Sequence, residues 1–181
     1  ITPQITPVFT QLGPFCQFDT APALPTTSNN GISGTWNAAL STATAGSTVY
    51  TFTPTATLCN GGVTMTVVVN PKPVLPTVAP IERCDGYVLP ALPANVSYHT
   101  AANGGGSILT AGTNITTSQL IYVYGTSGTT PNCSSETSFN VTITSTPQFT
   151  IEAGCDGSEF VLEAIAVNNS YNPSTVTYNW T

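Results

Sequence analysis

Charge is what this chain has least of. Lys72 and Arg83 are its only cationic side chains against eight acids, and charged residues make up 6% of the 181, where a soluble domain carries about 25%. A surface with two cations and a net charge of −6 cannot neutralise a row of phosphates. That excludes nucleic acid as a partner and leaves no basic patch for an anionic membrane. Long apolar runs are lacking too. The longest lies around Val67-Val68-Val69, far short of the ~20 residues a spanning helix needs, so no membrane insertion is expected. No segment keeps a helical apolar period over a useful length. With one histidine, His99, and no CxxC spacing among five cysteines, there is little from which to build a metal centre or an acid–base pair. The chain also lacks an initiator Met and a signal peptide, so it is expected to be an internal piece of something longer, with its address signals elsewhere.

What the chain has instead is threonine, 33 of them. Most alternate with apolar residues, as in Val63-Thr64-Met65-Thr66-Val67 and Phe139-Asn140-Val141-Thr142-Ile143-Thr144. Alternation of this kind is the period-2 signal of strands with one buried face. Disordered Thr- and Pro-rich stalks lack both the alternation and the Tyr, Phe and Val that build a core. Short strands punctuated by Gly, Pro and Asn therefore predict an all-β fold of small sandwiches.

The chain also repeats. Pro7-Val8-Phe9, Cys16 and Ala23-Leu24-Pro25 return as Pro73-Val74-Leu75, Cys84 and Ala91-Leu92-Pro93, with the Ala seven residues after the cysteine in both copies. A third copy opens at Pro147-Gln148-Phe149 and reaches Cys155. The period of about 70 residues is too long for helical solenoid repeats and suits a small β-domain. Two complete repeats are predicted, 1–72 and 73–146, with the start of a third at 147–181. Asn70-Pro71-Lys72-Pro73 and Thr146-Pro147 read as short, stiff linkers that set neighbouring domains end to end in an elongated array.

Four cysteines fall two per complete repeat. Of the three connectivities open to four thiols, pairing within repeats, Cys16 with Cys59 and Cys84 with Cys133, is expected because it lets each copy fold as its neighbour does. Each bridge would stabilise a domain of this size by about 4 kcal/mol on the chain-entropy account, and disulfides imply an oxidising compartment. Cys155 would then pair beyond Thr181.

Within repeat one, strands are expected at Val8 to Leu12, through Trp36, at Val49 to Thr53 and at Val63 to Val69, with turns at Ser28-Asn29-Asn30-Gly31 and Asn60-Gly61-Gly62. In repeat two they are expected through Tyr98, at Leu120 to Tyr124 and at Ser138 to Thr144. The last segment offers Phe149 to Ala153, Phe160 to Val167 and Thr175 to Trp180.

The run Ala23-Leu24-Pro25-Thr26-Thr27-Ser28-Asn29-Asn30-Gly31-Ile32-Ser33-Gly34-Thr35-Trp36, followed by Tyr50-Thr51-Phe52-Thr53-Pro54-Thr55, resembles the Ig-like repeats of very large surface and secreted proteins of Bacteroidetes. Gliding-motility adhesins and cargo of type IX secretion are among them. Ile121-Tyr122-Val123-Tyr124, Thr130-Pro131-Asn132-Cys133 and Ser138 to Ile143 are similar to a sister repeat type. Gly154-Cys155-Asp156-Gly157 with Val176 to Trp180 resembles PKD-like repeats. The resemblance implies an extracellular, cell-surface setting and brings no catalytic residues. It also implies O-glycosylation at Thr20, within the acceptor triplet Asp19-Thr20-Ala21. Cys59 lies nine residues after Tyr50 and Trp36 twenty after Cys16, so Ig-like topology is expected without the antibody core.

Other residues invite chemistry and read more simply. His99 is expected to face outward, opposite a buried Tyr98. Asp85-Gly86 and Asp156-Gly157 suit turns with positive φ; the acids around them, Glu82, Glu152 and Glu159, are too few for the six to eight oxygen ligands of calcium. The loop Asn103 to Ser107 is Gly-rich but lacks the Lys and following helix of a phosphate loop. Trp36 and Trp180 could stack on sugars, but the Ig plan buries them. Neither catalysis nor a cofactor is expected. The predicted role is a structural and adhesive stalk for cell adhesion or gliding, with partners in neighbouring repeats, surface polysaccharide or other surface proteins. The alternative is a carbohydrate-binding array attached to a secreted polysaccharide hydrolase.

Overall fold

In a computed structural model the chain is described over residues 5–55 and 61–177. It is all-β, with several sheets, an arrangement consistent with a β-sandwich. Helical structure among these residues is confined to two single 3₁₀ turns, Val167–Asn169 and Pro173–Thr175.

The first sheet contains β1 (Phe15–Cys16), β2 (Gly34–Trp36), β3 (Gly46–Pro54) and β4 (Val63–Asn70), in the order β1-β4-β3-β2. The Thr alternation works as expected: in β4, Met65, Val67 and Val69 are buried while Thr64, Thr66 and Val68 face solvent. Tyr50 and Phe52 on β3 bury the same face, since strand residues two apart share a side. Leu40, Tyr50, Met65 and Val67 form the centre of this core. Gly34 allows its closest approach: a Cβ there would collide with the Thr53 carbonyl oxygen and lie 2.5 Å from the Phe52 ring.

The expected strand at Val8 to Leu12 does not form. Phe9 and Leu12 pack onto the core, but in place of a ladder the backbone around them has one backbone bond, Asn29 N to Val8 O at 2.7 Å, and several bonds from side chains. Asn30 Oδ1 accepts from Val8 N at 3.1 Å, Asn30 Nδ2 donates to Thr6 O at 2.9 Å, and Gln11 Nε2 donates to Thr66 O at 2.8 Å. Asn and Gln amides offer the donors and acceptors that a paired strand would have supplied. The turn at Ser28 to Gly31 is present, closed by Gly31 N on Ser28 O at 2.9 Å with Gly31 at φ 83°.

The second sheet runs β5-β11-β10-β7-β8, from β5 (Ile81–Cys84), β7 (Val96–Ala101), β8 (Gly105–Leu109), β10 (Gln119–Thr126) and β11 (Ser134–Thr144). A two-stranded sheet, β6 (Tyr87–Val88) with β9 (Asn114–Ile115), accompanies it. Leu89, Tyr98, Ile115, Ile121, Val123, Phe139 and Val141 make a second core, drawn from both sheets and distinct from the first. The last segment is a hairpin of β12 (Phe149–Asp156) and β13 (Glu159–Ala166), antiparallel from Phe149↔Ala166 to Asp156↔Glu159. Of the strand expected at Thr175 to Trp180, Thr175 ends a 3₁₀ turn over Pro173–Thr175 and Val176 is extended; residues 178–181, with Trp180, lie outside the described residues.

Candidate functional site

The place where residues far apart in sequence converge is the junction between the two larger sheets. β1 lies parallel to the end of β4, with Phe15 opposite Val69 and Cys16 opposite Asn70, and Gln17 N continues the ladder to Asn70 O at 2.9 Å. From the other side comes the loop of residues 127–133. It is tied to itself: Ser127 N donates to Cys133 O at 2.8 Å, Cys133 N to Ser127 Oγ at 2.9 Å, and Gly128 N, at φ 68°, to Asn132 Oδ1 at 2.9 Å. A loop held by its own hydrogen bonds presents its cysteine in one place.

That cysteine is bonded to Cys16. The Cys16–Cys133 disulfide has a Cα–Cα distance of 5.5 Å, joins residues 117 apart and links the first sheet to the second. Both within-repeat pairs are thereby corrected. Cys16 does not bond Cys59, which lies outside the described residues, and Cys84 does not bond Cys133 but is an exposed free thiol. The physical reason is strand length. Cys84 is in register with Thr144 at the end of β11, whereas Cys133 immediately precedes Ser134 at its start. Ten strand steps separate those ends by about 33 Å, and a disulfide needs its Cα atoms within about 7 Å.

Three weaker contacts surround the bridge. Asn70 Nδ2 donates to Thr130 O at 3.0 Å, across the junction. Lys72 Nζ stands 3.8 Å from Asp19 Oδ1, a surface pair of the kind worth under about 1 kcal/mol. Pro73 and Leu75 pass over β10 where Gly125 has no side chain; a Cβ there would sit 2.6 Å from Leu75 Cδ2. The junction is thus held by a disulfide, by a hydrogen bond across it and by packing of the linker on β10.

The far end of the second sheet has a similar arrangement. β5 is parallel to β11, Cys84 lies opposite Thr144, and Asp85 N donates to Thr144 O at 2.8 Å. Asp85 sits at φ 64°, the left-handed turn its Asp-Gly sequence predicts. Its carboxylate accepts from Thr146 Oγ1 and, at 2.8 Å, from Thr146 N. Those hydrogen bonds, the hydroxyl first and then the amide, hold the Asp85 carboxyl below the usual carboxylate range.

The remaining sequence candidates scatter. His99 is a correction: it is buried, not outward-facing. Its Nε2 lies 2.9 Å from Ser97 Oγ and its Nδ1 3.2 Å from Gly105 O. The alternation itself holds, with His99 on the side of Ser97 and opposite Tyr98, but that face is covered: the Tyr124 ring meets the imidazole edge-on at a centroid distance of 5.7 Å and the Gly105 carbonyl lies against it. Tyr98 is buried as expected, and burial, with Tyr87 nearby, raises its phenol pKa. Trp36 is half-buried; its ring packs against Phe9 and Phe52 at centroid distances of 4.9 and 5.3 Å, and its indole N–H donates to Pro25 O at 2.9 Å. It borders an open apolar depression of about 490 Å³ lined by Ala21, Leu24 and Leu40 among others. Thr20 is exposed beside Asp19. Asn103 to Ser107 forms the β7–β8 hairpin end, with Asn103, Gly104 and Gly106 at positive φ.

No three metal-binding side chains converge among the described residues, and no described helix is long and apolar enough to cross a membrane. The disulfide itself fits an oxidising, non-cytoplasmic environment. Sequence reasoning missed Asn70 and Gly125, because neither carries a signal until the two sheets meet. No family model and no curated protein matches this chain.

Proposed function

We propose that the chain is a tension-carrying structural and adhesive segment of a large exported surface protein. Its Ig-like modules are strung in tandem and hold a distal binding region away from the cell. One observation carries the reading: the only disulfide among the described residues joins the two sheets rather than closing either one. A tensile load entering at Cys16 crosses to Cys133 through a covalent bond, so that β2 to β4, the linker and β5 to β10 lie off its path.

Strand order supports the same reading. In each large sheet the first strand is paired parallel to the last, β1 with β4 and β5 with β11. Once the bridge is reduced and β4 and β5 come onto the load path, pulling the two ends of such a unit apart drives its terminal strands in opposite directions along their length. The ladder hydrogen bonds are then loaded together, in shear, instead of one at a time. A surface carried by hydroxyls and amides and almost no cations gives neighbouring modules little electrostatic cause to stick or repel.

The carbohydrate-binding alternative draws on the depression beside Trp36. It has less support, because both ring packing and the indole N–H are already taken within the first sheet's core.

Single-molecule pulling from the two ends tests the proposal. With the bridge intact, the residues between Cys16 and Cys133, 117 apart, stay off the load path, hiding about 400 Å of contour at about 3.5 Å per residue. Reduction releases that length as discrete peaks. A featureless extension to full length, both before and after reduction, would sink the reading.

A further inference from the structure

We propose that Ser97 is an activated nucleophile, with His99 as its general base, and that it takes the acyl group of a small uncharged ester. The site lies wholly on the second sheet and is independent of the mechanical reading above.

Ser97 and His99 are two residues apart on β7 and share the face opposite the buried Tyr98. Ser97 Oγ lies 2.9 Å from His99 Nε2, and His99 Nδ1 lies 3.2 Å from the Gly105 carbonyl oxygen. A carbonyl only accepts, so in the neutral ring the proton sits on Nδ1 and Nε2 keeps its lone pair. The Ser97 hydroxyl then donates to Nε2. Nucleophilic catalysis needs this arrangement, a hydroxyl on a base whose tautomer is fixed by a third group.

The imidazole has little freedom to leave. It is buried, and the Tyr124 ring meets it edge-on. The Gly105 carbonyl reaches it because the hairpin end turns through Asn103, Gly104 and Gly106 at positive φ, and a Cβ on Gly105 would itself lie 2.8 Å from the Ala102 carbonyl oxygen. The glycine-rich loop that cannot cradle a phosphate thus orients a base.

Ser97 is only part-buried, and with His99 it lines an open depression of about 340 Å³. A pair that merely satisfied each other's hydrogen bonds would need no such opening. Val96 and Ile108 give the depression an apolar wall for a short acyl chain, and Asn95 brings an amide donor of the kind that stabilises a developing oxyanion. Neither of the chain's two cations lines it. Glu136, in register with Tyr124 as Tyr124 is with Ser97, stands on the same sheet face. An anionic substrate is therefore disfavoured.

In the first step Ser97 Oγ forms a bond to the acyl carbon as its proton passes to His99 Nε2. The ester C–O bond breaks, and the departing alcohol takes that proton. Water, deprotonated by the same nitrogen, then attacks the acyl carbon; the acid leaves and the proton returns to Ser97 Oγ.

The test is labelling of the intact chain with an alkyl fluorophosphonate, followed by peptide mapping, alongside p-nitrophenol release from p-nitrophenyl acetate. Ser97 should carry the phosphonyl adduct while the exposed Ser107 and Ser138 stay unmodified. Ser97→Ala should abolish the adduct and the release, and His99→Gln should slow both about a hundredfold or more, with amide exchange along β7 and β10 unchanged. No labelling, labelling spread evenly over exposed serines, or release undiminished in Ser97→Ala overturns the inference. Those three outcomes need no change to the buried imidazole, so they decide it even where His99→Gln loosens the sheet. Full labelling of a folded His99→Gln chain overturns it as well. Any of these results leaves the load-bearing role of the Cys16–Cys133 bridge to its own pulling experiment.

Discussion

Cys133→Ser removes the bond between the sheets, and its effect on cooperativity can be worked from the structure. In a fully unfolded chain the bond closes a loop between residues 117 apart, which the chain-entropy relation values at about 4.9 kcal/mol at 25 °C. Half-open states are penalised almost as heavily. When only the first unit opens, the folded second unit holds Cys133 beside the linker, about 55 residues are closed, and the penalty is about 4.2 kcal/mol. When only the second opens, about 60 residues are closed and the penalty is about 4.3 kcal/mol. Together these exceed the penalty on the fully open chain by about 3.6 kcal/mol. The bridge thus suppresses independent opening roughly 400-fold, at tenfold per 1.4 kcal/mol. Two separate cores are coupled by one bond. Native-state hydrogen exchange reads this directly. Cys133→Ser should lower the opening free energy of β4 and β10 amides alike by about 4 kcal/mol, and a single urea transition should split into two. Cys16→Ser should match it, and the double variant should add nothing. A loss confined to one sheet, or below about 1 kcal/mol in both, would mean that the bond does not couple the two cores, since loop closure penalises both half-open states.

Other consequences are equally open to measurement. The Asp85 carboxyl is held below its unfolded value, so the contact it gives Thr146 is present above about pH 4 and is lost as pH falls through the lower folded value. The Thr146 amide shift should stay flat down to the ordinary carboxylate range and move only below it. Asp85→Asn should abolish that step, and a midpoint near 4 would contradict the account. Tyr98 has the opposite sign: its phenol pKa is raised by burial, so its contribution is complete below about pH 10 and fades as pH climbs toward the folded value. Tyr98→Phe should flatten the alkaline limb of a stability profile. Gly34→Ala drives a methyl against the Thr53 carbonyl and the Phe52 ring, and should cost the first unit about 1–3 kcal/mol in urea unfolding. An unchanged midpoint would show that β2 shifts freely.

The all-β class was legible along the chain because alternation is a local property: Thr64, Thr66 and Val68 against Met65, Val67 and Val69 state which face of β4 is buried before any partner is known. So were the turns at Gly31 and Asp85, where a positive φ selects Gly or Asp from its own neighbours. Which cysteines meet depends on how the strands are laid beside one another. Counting two per repeat suggested closure within each repeat, but β11 is long enough to carry Cys133 away from Cys84 and toward the preceding unit's Cys16. The same holds for Val8 to Leu12, whose backbone bonds go to the Asn30 and Gln11 side chains and to the Asn29 amide instead of a strand. It holds again for His99, which keeps the face opposite Tyr98 and is buried there by the Tyr124 ring and the Gly105 carbonyl. Pairing, register and distance belong to two strands at once, and a pattern read along one chain contains only one of them.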